Sequence, residues 1–314
     1  MAIPDVDGAE AEEEEGEEMK ESFREVNFRG KTALYLEQIV KIIEDYQNQG
    51  YKLTLRQLYY QLVSAGIVPN NPKEYAKLSD VLTNARMSGL VDWDAIEDRV
   101  RVPKMHSEWD DLAGLVRSAC ASYRLPRWSD QDYYVELWTE KDAIAGILQP
   151  ITEKYHIHLI VNRGYSSASA MYDASKRFLE QEGEGKKCVL LYLGDHDPSG
   201  LDMDRDIKDR LEEFGATVIY QRVGLTHAQV QQYTPPPNPA KVSDSRAVNY
   251  IAQYGAQSWE VDALNPAILN QLVEDAILNY LDIDKYNAWI EKEKEDKETL
   301  KQAAEDVSED DDND

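Results

Sequence analysis

The sequence has few cysteines and no long apolar run, and both absences exclude whole classes of protein. Only two of its 314 residues are cysteines, Cys120 and Cys188. They lack Cys-x-x-Cys spacing, so neither a disulfide framework nor a zinc site is expected. No stretch approaches the roughly 20 consecutive apolar residues of a membrane span, and the acidic start is unlike a basic, then apolar, export signal. We therefore expect a cytoplasmic protein with no membrane partner.

Basic residues are scarce beside acidic ones. The chain has 34 Lys and Arg against 60 Asp and Glu, a net charge of −26, which is unfavourable for contact with the phosphates of DNA. Much of the excess lies at the ends, since residues 1–25 and residues 281–314 each carry −9 and leave −8 for the rest. Such runs are typical of disordered acidic tails, predicted at 1–28 and 291–314. The alternative is that they mimic nucleic acid and restrain a basic surface.

Residues 29–104 have the pattern of a DNA-binding domain. Apolar spacing predicts a helix over 29–49. A capping box formed by Thr54 and Gln57 predicts a second helix that begins directly after Thr54, and a third helix is predicted at about 73–88. The basic segment after it predicts a short β wing. Three helices and a wing favour a winged helix-turn-helix. Its candidate DNA contacts are Lys77, Arg86, Arg99 and Arg101.

The second half of the chain changes from helices alone to alternating strands and helices. A helical linker is predicted over 105–132, and a βαβαβαβ pattern over 133–242 predicts a parallel four-stranded sheet of the Rossmann-like kind. A Pro-rich stretch then precedes a helical segment at 243–290. The fold class predicted is thus α/β plus α.

Three acidic residues follow predicted strands directly: Glu140 after the first strand, and Asp195 and Asp197 after the third. Ligands of parallel sheets bind at the carboxyl ends of the strands, and residues two apart in an extended segment face the same side. Crowded carboxylates favour a divalent cation with a preference for oxygen, here Mg²⁺ with Mn²⁺ as an alternative. A local interpretation competes, because Asp197-Pro198 is typical of a helix N-cap followed by proline.

Three motifs occur in order in this part of the chain: Glu140-Lys141, Arg163-Gly164-Tyr165 and Asp195-His196-Asp197-Pro198-Ser199-Gly200. Together they resemble the Toprim domain of the topoisomerase VI A subunit and its relative, the meiotic double-strand-break protein. The resemblance implies that the three acids bind metal, that Glu140 is catalytic, and that Lys141 and Arg163 contact phosphate, with Ser166 and Ser167 as further candidates. His196 holds the variable position of its motif and is expected to face solvent, with a role as general acid as the alternative.

The same family has a winged-helix domain before the Toprim domain, with an Arg-x-x-Tyr-Tyr motif that residues 56–60 match. Helical periodicity places Tyr59 on the apolar face and Tyr60 with Arg56 on another, so Tyr59 is predicted to be structural and Tyr60 to be available. The resemblance implies that Tyr60 attacks the phosphodiester while Arg56 stabilises its phenolate or the phosphate. Residues 258–264 are also similar to a late segment of the A subunit, without a role that the sequence reveals.

Three functions remain open at this point. The first is a topoisomerase VI A-like subunit that breaks double-stranded DNA as a homodimer; the chain has no P-loop, so an ATPase for strand passage would be a separate subunit. The second is a Toprim endonuclease of the defence type, which hydrolyses DNA with an activated water and needs no tyrosine. The third is a non-catalytic winged-helix DNA-binding protein with a vestigial acidic site.

Overall fold

The computed structural model describes residues 22–97, 106–240 and 244–311, with side chains to residue 302. The protein is mixed α/β and contains a four-stranded parallel sheet. The predicted tail at 1–28 lies largely outside the described residues, as do Arg99 and Arg101. The elements are α1 Lys31–Gln47, α2 Leu55–Ser64, α3 Pro72–Met87, α4 Leu112–Ser122, β1 Tyr133–Thr139, α5 Ala145–Lys154, β2 His158–Val161, α6 Ala168–Gly183, β3 Lys187–Leu193, α7 Pro198–Glu213, β4 Val218–Gly224, α8 His227–Tyr233, β5 Asn238–Pro239, α9 Ala247–Tyr254, β6 Gln257–Ser258, α10 Pro266–Leu278 and α11 Ile283–Asp311.

The first three helices share one apolar core. Helix α2 starts with the predicted capping box, in which Thr54 accepts from the backbone N–H of Gln57 and the Gln57 side chain accepts from the backbone N–H of Thr54. Leu53 and Leu58, on either side of this cap, are buried in the same core, so the entry angle of α2 is fixed by packing as well as by the cap. Of the predicted wing, the described part forms one parallel bridge between Leu53 and Ile96.

The four strands are parallel and lie in the order β2-β1-β3-β4. Side chains alternate between the two faces of the sheet, as the pleat requires. Val135 and Leu137 pack on one face with α5 and α10, whereas Trp138 packs on the other with α6 and α7. Cys188 is buried on β3 as predicted. Both faces of the sheet are therefore covered, which leaves the carboxyl edge as the place for a site.

The last helix continues past residue 290, where the acidic tail is predicted to begin. Within α11, Glu293 is buried and forms an ion pair with Arg127 at 3.0 Å, and the Arg127 guanidinium also donates to Tyr286. Burial raises the pKa of Glu293, but hydrogen bonds from Arg127, from the backbone of Leu125 and from Lys297 together outweigh that effect and lower the pKa to about 2. The first turns of the predicted tail are thus fixed to the core. No helix in the described part of the chain is long and apolar enough to span a membrane.

Candidate functional site at the carboxyl edge of the sheet

Two of the three predicted acids meet at the carboxyl edge of the sheet. The backbone N–H of Glu140 donates to the carbonyl of Leu193 at 3.3 Å, which joins the ends of β1 and β3. The backbone N–H of Asp195 in turn donates to Glu140 Oε1 at 3.1 Å. Both carboxyl groups are buried, with Glu140 and Asp195 each 7% exposed. The parallel register of β1 and β3 therefore brings them together although 55 positions separate them in the chain.

Asp197, the third predicted acid, has different contacts. It is the N-cap of α7, and its Oδ1 accepts from the backbone N–H of Gly200 at 2.6 Å and from Ser199 Oγ at 2.8 Å. Pro198 fills the first helical position. These contacts match the interpretation of Asp197-Pro198 as a helix N-cap followed by proline, since a capping carboxylate satisfies the free N–H groups of the first turn.

Lys141 lies among the carboxylates. Its ammonium is 2.6 Å from Asp195 Oδ2 and 3.3 Å from Glu260 Oε2. Burial alone would lower the pKa of Lys141, but the carboxylates of Asp195 and Asp262 outweigh that effect and raise it. Lys141 is predicted to contact phosphate, but in this structure its ammonium pairs with the carboxylates of Asp195 and Glu260.

Two further acids reach the site from the segment after β6, and sequence reasoning missed them. Asp195 Oδ1 accepts from the backbone N–H of Val261 at 2.9 Å, so Glu260 and Asp262 are fixed on either side of this contact. Asp262 is 1% exposed. The signal that could have found them is residues 258–264, which were noted for their resemblance but carried no role.

The prediction that His196 faces solvent is wrong. His196 is 2% exposed, and its backbone exchanges two hydrogen bonds with Trp259, at 2.8 Å and 3.0 Å. Its ring contacts those of Tyr250 and Tyr254. Burial, with the nearby charge of Arg222, lowers the pKa of His196 to about 4. The contacts between these uncharged rings hold the segment that carries Glu260 and Asp262 against the turn that contains Asp195.

Helix α2 supplies the remaining groups of the site. Arg56 Nε lies 2.7 Å from Asp262 Oδ2, and its NH2 group pairs with Glu260. The Arg56 guanidinium is also 5.6 Å from the centre of the Tyr60 ring. The turn Val261–Ala263 packs directly on α2, and Ala263 belongs to the core of the first three helices. The motif at residues 56–60 therefore lies beside the acidic edge of the same chain.

Tyr59 and Tyr60 are both buried, which corrects the prediction that Tyr60 is available. Tyr60 is 5% exposed and Tyr59 is 4% exposed. Helical periodicity showed one apolar face, but α2 packs against two sets of partners. These are the helices α1 and α3, and the turn Val261–Ala263. The Tyr59 hydroxyl accepts from the backbone N–H of Asn71 at 2.7 Å, in keeping with its predicted structural role. Burial, followed by the charge of Asp262, raises the pKa of Tyr60, while Arg56 and a hydrogen bond with Asn238 oppose the rise.

The acidic edge has more negative than positive charge within it. Glu140, Asp195, Glu260 and Asp262 face two cations, Lys141 and Arg56. Among the described residues, Glu140 Oε2 and Asp262 Oδ1 are buried without a hydrogen-bond donor. Oxygen ligands with unsatisfied lone pairs fit a hard divalent cation such as Mg²⁺. In the described part of the chain, however, no three acidic, histidine or cysteine side chains already surround one point as a ligand set.

We expect the acidic edge to make the stability of the protein fall as the pH rises above neutrality. Burial and the charge of Asp195 raise the pKa of Glu140 to about 8, so between its ordinary value and pH 8 the folded protein retains a proton that the unfolded chain releases. His156 and His196, with pKa values lowered from 6.5 to about 4, act oppositely, and a small part of their effect remains between pH 6.5 and pH 7.5. From pH 6.5 to pH 8 in EDTA, the free energy of unfolding should therefore fall by about 1 kcal/mol.

Urea denaturation at several pH values measures this slope. Glu140→Gln should reduce it strongly, whereas Glu153→Gln, on the exposed face of α5, should leave it unchanged. Equal slopes in wild type and Glu140→Gln would show that the carboxyl of Glu140 does not hold the extra proton.

The other predicted phosphate contacts that the structure describes lie on α3 and in the segment between β2 and α6. Lys77 is on α3, paired with Glu74 at 3.5 Å. Arg86 donates to the Trp93 carbonyl at 2.6 Å and lies over the Trp93 ring, so its guanidinium is used within the fold. Arg163 is exposed and pairs with Asp142 at 3.1 Å. Ser167 caps α6 by accepting from the backbone N–H of Ala170. The described structure thus brings only Lys141 of the predicted phosphate contacts into the acidic edge.

Comparison of the chain with protein-family models, with curated proteins and with solved structures found no match in any of the three.

Proposed function

We propose that this protein cleaves DNA in a reaction that depends on a divalent cation, as a Toprim-domain protein with an N-terminal winged-helix domain. The observation that carries the proposal is the meeting of two motifs distant in sequence. Tyr60 and Arg56 of α2 lie beside Glu140, Lys141 and Asp195 at the carboxyl edge of the sheet. A tyrosine, two cations and paired carboxylates at one place are the groups that phosphodiester cleavage through a tyrosine requires.

In the proposed reaction the Tyr60 hydroxyl oxygen forms a bond to phosphorus while the bond from phosphorus to the 3′ oxygen breaks. The phenol releases its proton to water and the departing 3′ oxygen takes a proton from water, so the net transfer is from the phenol to the 3′ oxygen. Arg56 stabilises the phenolate, and Lys141 binds the phosphate once it leaves Asp195. Bound magnesium or manganese, held by the acids of the edge, would supply Lewis-acid stabilisation of the charge that develops on the phosphate. The product is a 5′-phosphotyrosyl link and a free 3′ hydroxyl.

A homodimer with double-stranded DNA belongs to the same proposal, because a double-strand break needs two such sites. Strand passage after the break would need a separate ATPase subunit, since the sequence has no P-loop. Lys77 and Arg163 retain side chains with half or more of their surface exposed, and they are the described residues proposed to contact the DNA backbone. Such contacts weaken steeply with salt.

A second candidate function is hydrolytic cleavage by an activated water. The burial of Tyr60 favours it, because a phenol that is 5% exposed and has a raised pKa is a poor nucleophile for a large substrate unless the contact between α2 and the turn Val261–Ala263 opens. Hydrolysis needs the acids but not the tyrosine, so both candidates share metal-dependent cleavage.

Cleavage of supercoiled plasmid tests the dependence on a divalent cation, which both candidate functions share. With Mg²⁺ or Mn²⁺ the wild type should nick or linearise the plasmid, EDTA should stop the reaction, and Asp195→Asn should reduce the rate about 10³-fold, because several kcal/mol of transition-state stabilisation are lost. Asp209→Asn, an exposed acid on α7, is the matched control and should keep wild-type activity. Cleavage that continues in EDTA, or in a folded Asp195→Asn protein at the wild-type rate, would contradict the proposal.

A further inference from the structure

The acids at the edge of the sheet differ in which of their oxygens are already used by the protein. Asp197 has its Oδ1 occupied by Gly200 and Ser199, as the N-cap of α7. A capping carboxylate that moves to a metal leaves N–H groups of the first turn unsatisfied, which costs about 1 kcal/mol. Oδ1 of Asp197 thus already has a structural role, and a cation bound through this oxygen would compete with the cap.

Asp262 has the properties that Asp197 lacks. Its side chain is fully buried, Arg56 occupies only Oδ2, and among the described residues Oδ1 has no hydrogen-bond donor. A buried, unsatisfied carboxylate oxygen is destabilising unless a cation approaches it. The same holds for Oε2 of Glu140, on the other side of Asp195.

Asp262 is held in register with Asp195, because the backbone N–H of Val261 donates to Asp195 Oδ1. Glu140 is joined to the same residue, because its Oε1 accepts from the backbone N–H of Asp195. Asp195 therefore links Glu140 to the segment that carries Asp262, although 122 positions separate Glu140 from Asp262 in the chain.

We propose that Asp262, and not Asp197, is the third carboxylate that holds the divalent cation at this edge. The inference rests on the proposed function, since it names a ligand of the cation which that function requires. Lys141 and Arg56 provide the positive charge near Asp195 and Asp262 when the cation is absent, and its entry displaces Lys141 from Asp195. Displacement leaves Lys141 free to contact phosphate, so cation binding and DNA binding support each other.

Titration of the full-length protein with Mn²⁺ tests the proposal without relying on activity. Free Mn²⁺ is followed by electron paramagnetic resonance in wild type, Asp262→Asn, Asp197→Asn and Lys141→Met. Asp262→Asn should weaken binding at least about 10-fold, Asp197→Asn should change it less than about 2-fold, and Lys141→Met should tighten it by removing the internal competitor. Circular dichroism and urea denaturation confirm that each variant is folded.

Arg56→Met separates a ligand from a structural partner. It breaks the same ion pair as Asp262→Asn but retains the carboxylate, so Mn²⁺ should bind Arg56→Met at least as tightly as wild type. Equal weakening by Arg56→Met and Asp262→Asn would show that Asp262 acts through the ion pair and would overturn the proposal. Weakening by Asp197→Asn with normal binding by Asp262→Asn would overturn it as well, in favour of Asp197. Wild-type protein that binds no Mn²⁺ at millimolar concentration would instead contradict the metal requirement of the proposed function.

Discussion

Tyr60→Phe is expected to abolish the protein-linked DNA ends that the proposed tyrosine mechanism leaves after cleavage. The substitution removes one oxygen, the atom that would bond to phosphorus, and loss of a nucleophile reduces the rate by at least about 10³-fold. The variant should remain folded, because the Tyr60 ring stays packed between α2 and its neighbours. Gel analysis of plasmid products with and without protease measures the result, since linked DNA enters the gel normally only after proteolysis.

Tyr59→Phe is the matched control. It removes the hydroxyl that accepts from Asn71 and donates to the Asn71 carbonyl, so it should lower the free energy of unfolding by about 1–2 kcal/mol and keep the protein-linked ends. If Tyr60→Phe still cuts at the wild-type rate and the ends are free of protein, the tyrosine mechanism fails and water is the nucleophile. If neither tyrosine variant differs from wild type in linkage, the covalent link arises elsewhere in the chain.

The burial of Tyr60 makes access the central question for this mechanism. One obstacle is the packing of α2 on the turn Val261–Ala263, which is held by the ion pairs of Arg56 with Asp262 and Glu260. Such pairs are sensitive to competing charge, because each partner is also a ligand for a cation or for a phosphate. DNA and a divalent cation supply both competitors at once, so substrate binding can weaken the contact that covers the nucleophile.

Much of the fold follows from local signals in the sequence. The capping box of Thr54 and Gln57 sets the start of α2 through two reciprocal hydrogen bonds within four residues, and the apolar run at Tyr133–Thr139 becomes β1 with its predicted bounds. The meeting of Glu140 and Asp195 is also predictable, because parallel strands place their carboxyl ends at one edge. Each of these inferences needs only neighbouring residues or a general rule of topology.

The remaining site residues depend on packing between distant segments, which no local pattern encodes. Glu260 and Asp262 reach the edge because the backbone of Trp259 pairs with that of His196, and an aromatic cluster holds the pairing. The burial of His196 and Tyr60 has the same origin, since the segment 257–263 covers both. A helical wheel assigns one apolar face to α2. It cannot show that a second segment, about 200 positions later in the chain, packs against another face of the same helix.

Arg177→Met is expected to give a large loss of stability at a place away from the acidic edge. Glu136 on β1 is fully buried, and its carboxylate accepts from Arg177 Nε at 2.7 Å and NH2 at 3.0 Å. Tyr134 and Trp138 complete its hydrogen bonds, at 2.7 Å and 2.8 Å. Removing the arginine leaves a buried charge without its counter-ion, which should lower the free energy of unfolding by about 3 kcal/mol.

Two comparisons decide whether this loss comes from the buried charge. Arg205→Met removes a guanidinium on α7 that pairs with the exposed Asp209, and it should cost less than about 1 kcal/mol because water screens that pair. Adding Glu136→Gln to Arg177→Met removes the uncompensated charge while keeping an acceptor for Tyr134 and Trp138, so the double variant should recover part of the stability that the single one loses. Urea denaturation measures all three. A double variant less stable than Arg177→Met would show that the arginine stabilises α6 by its packing and not by its charge.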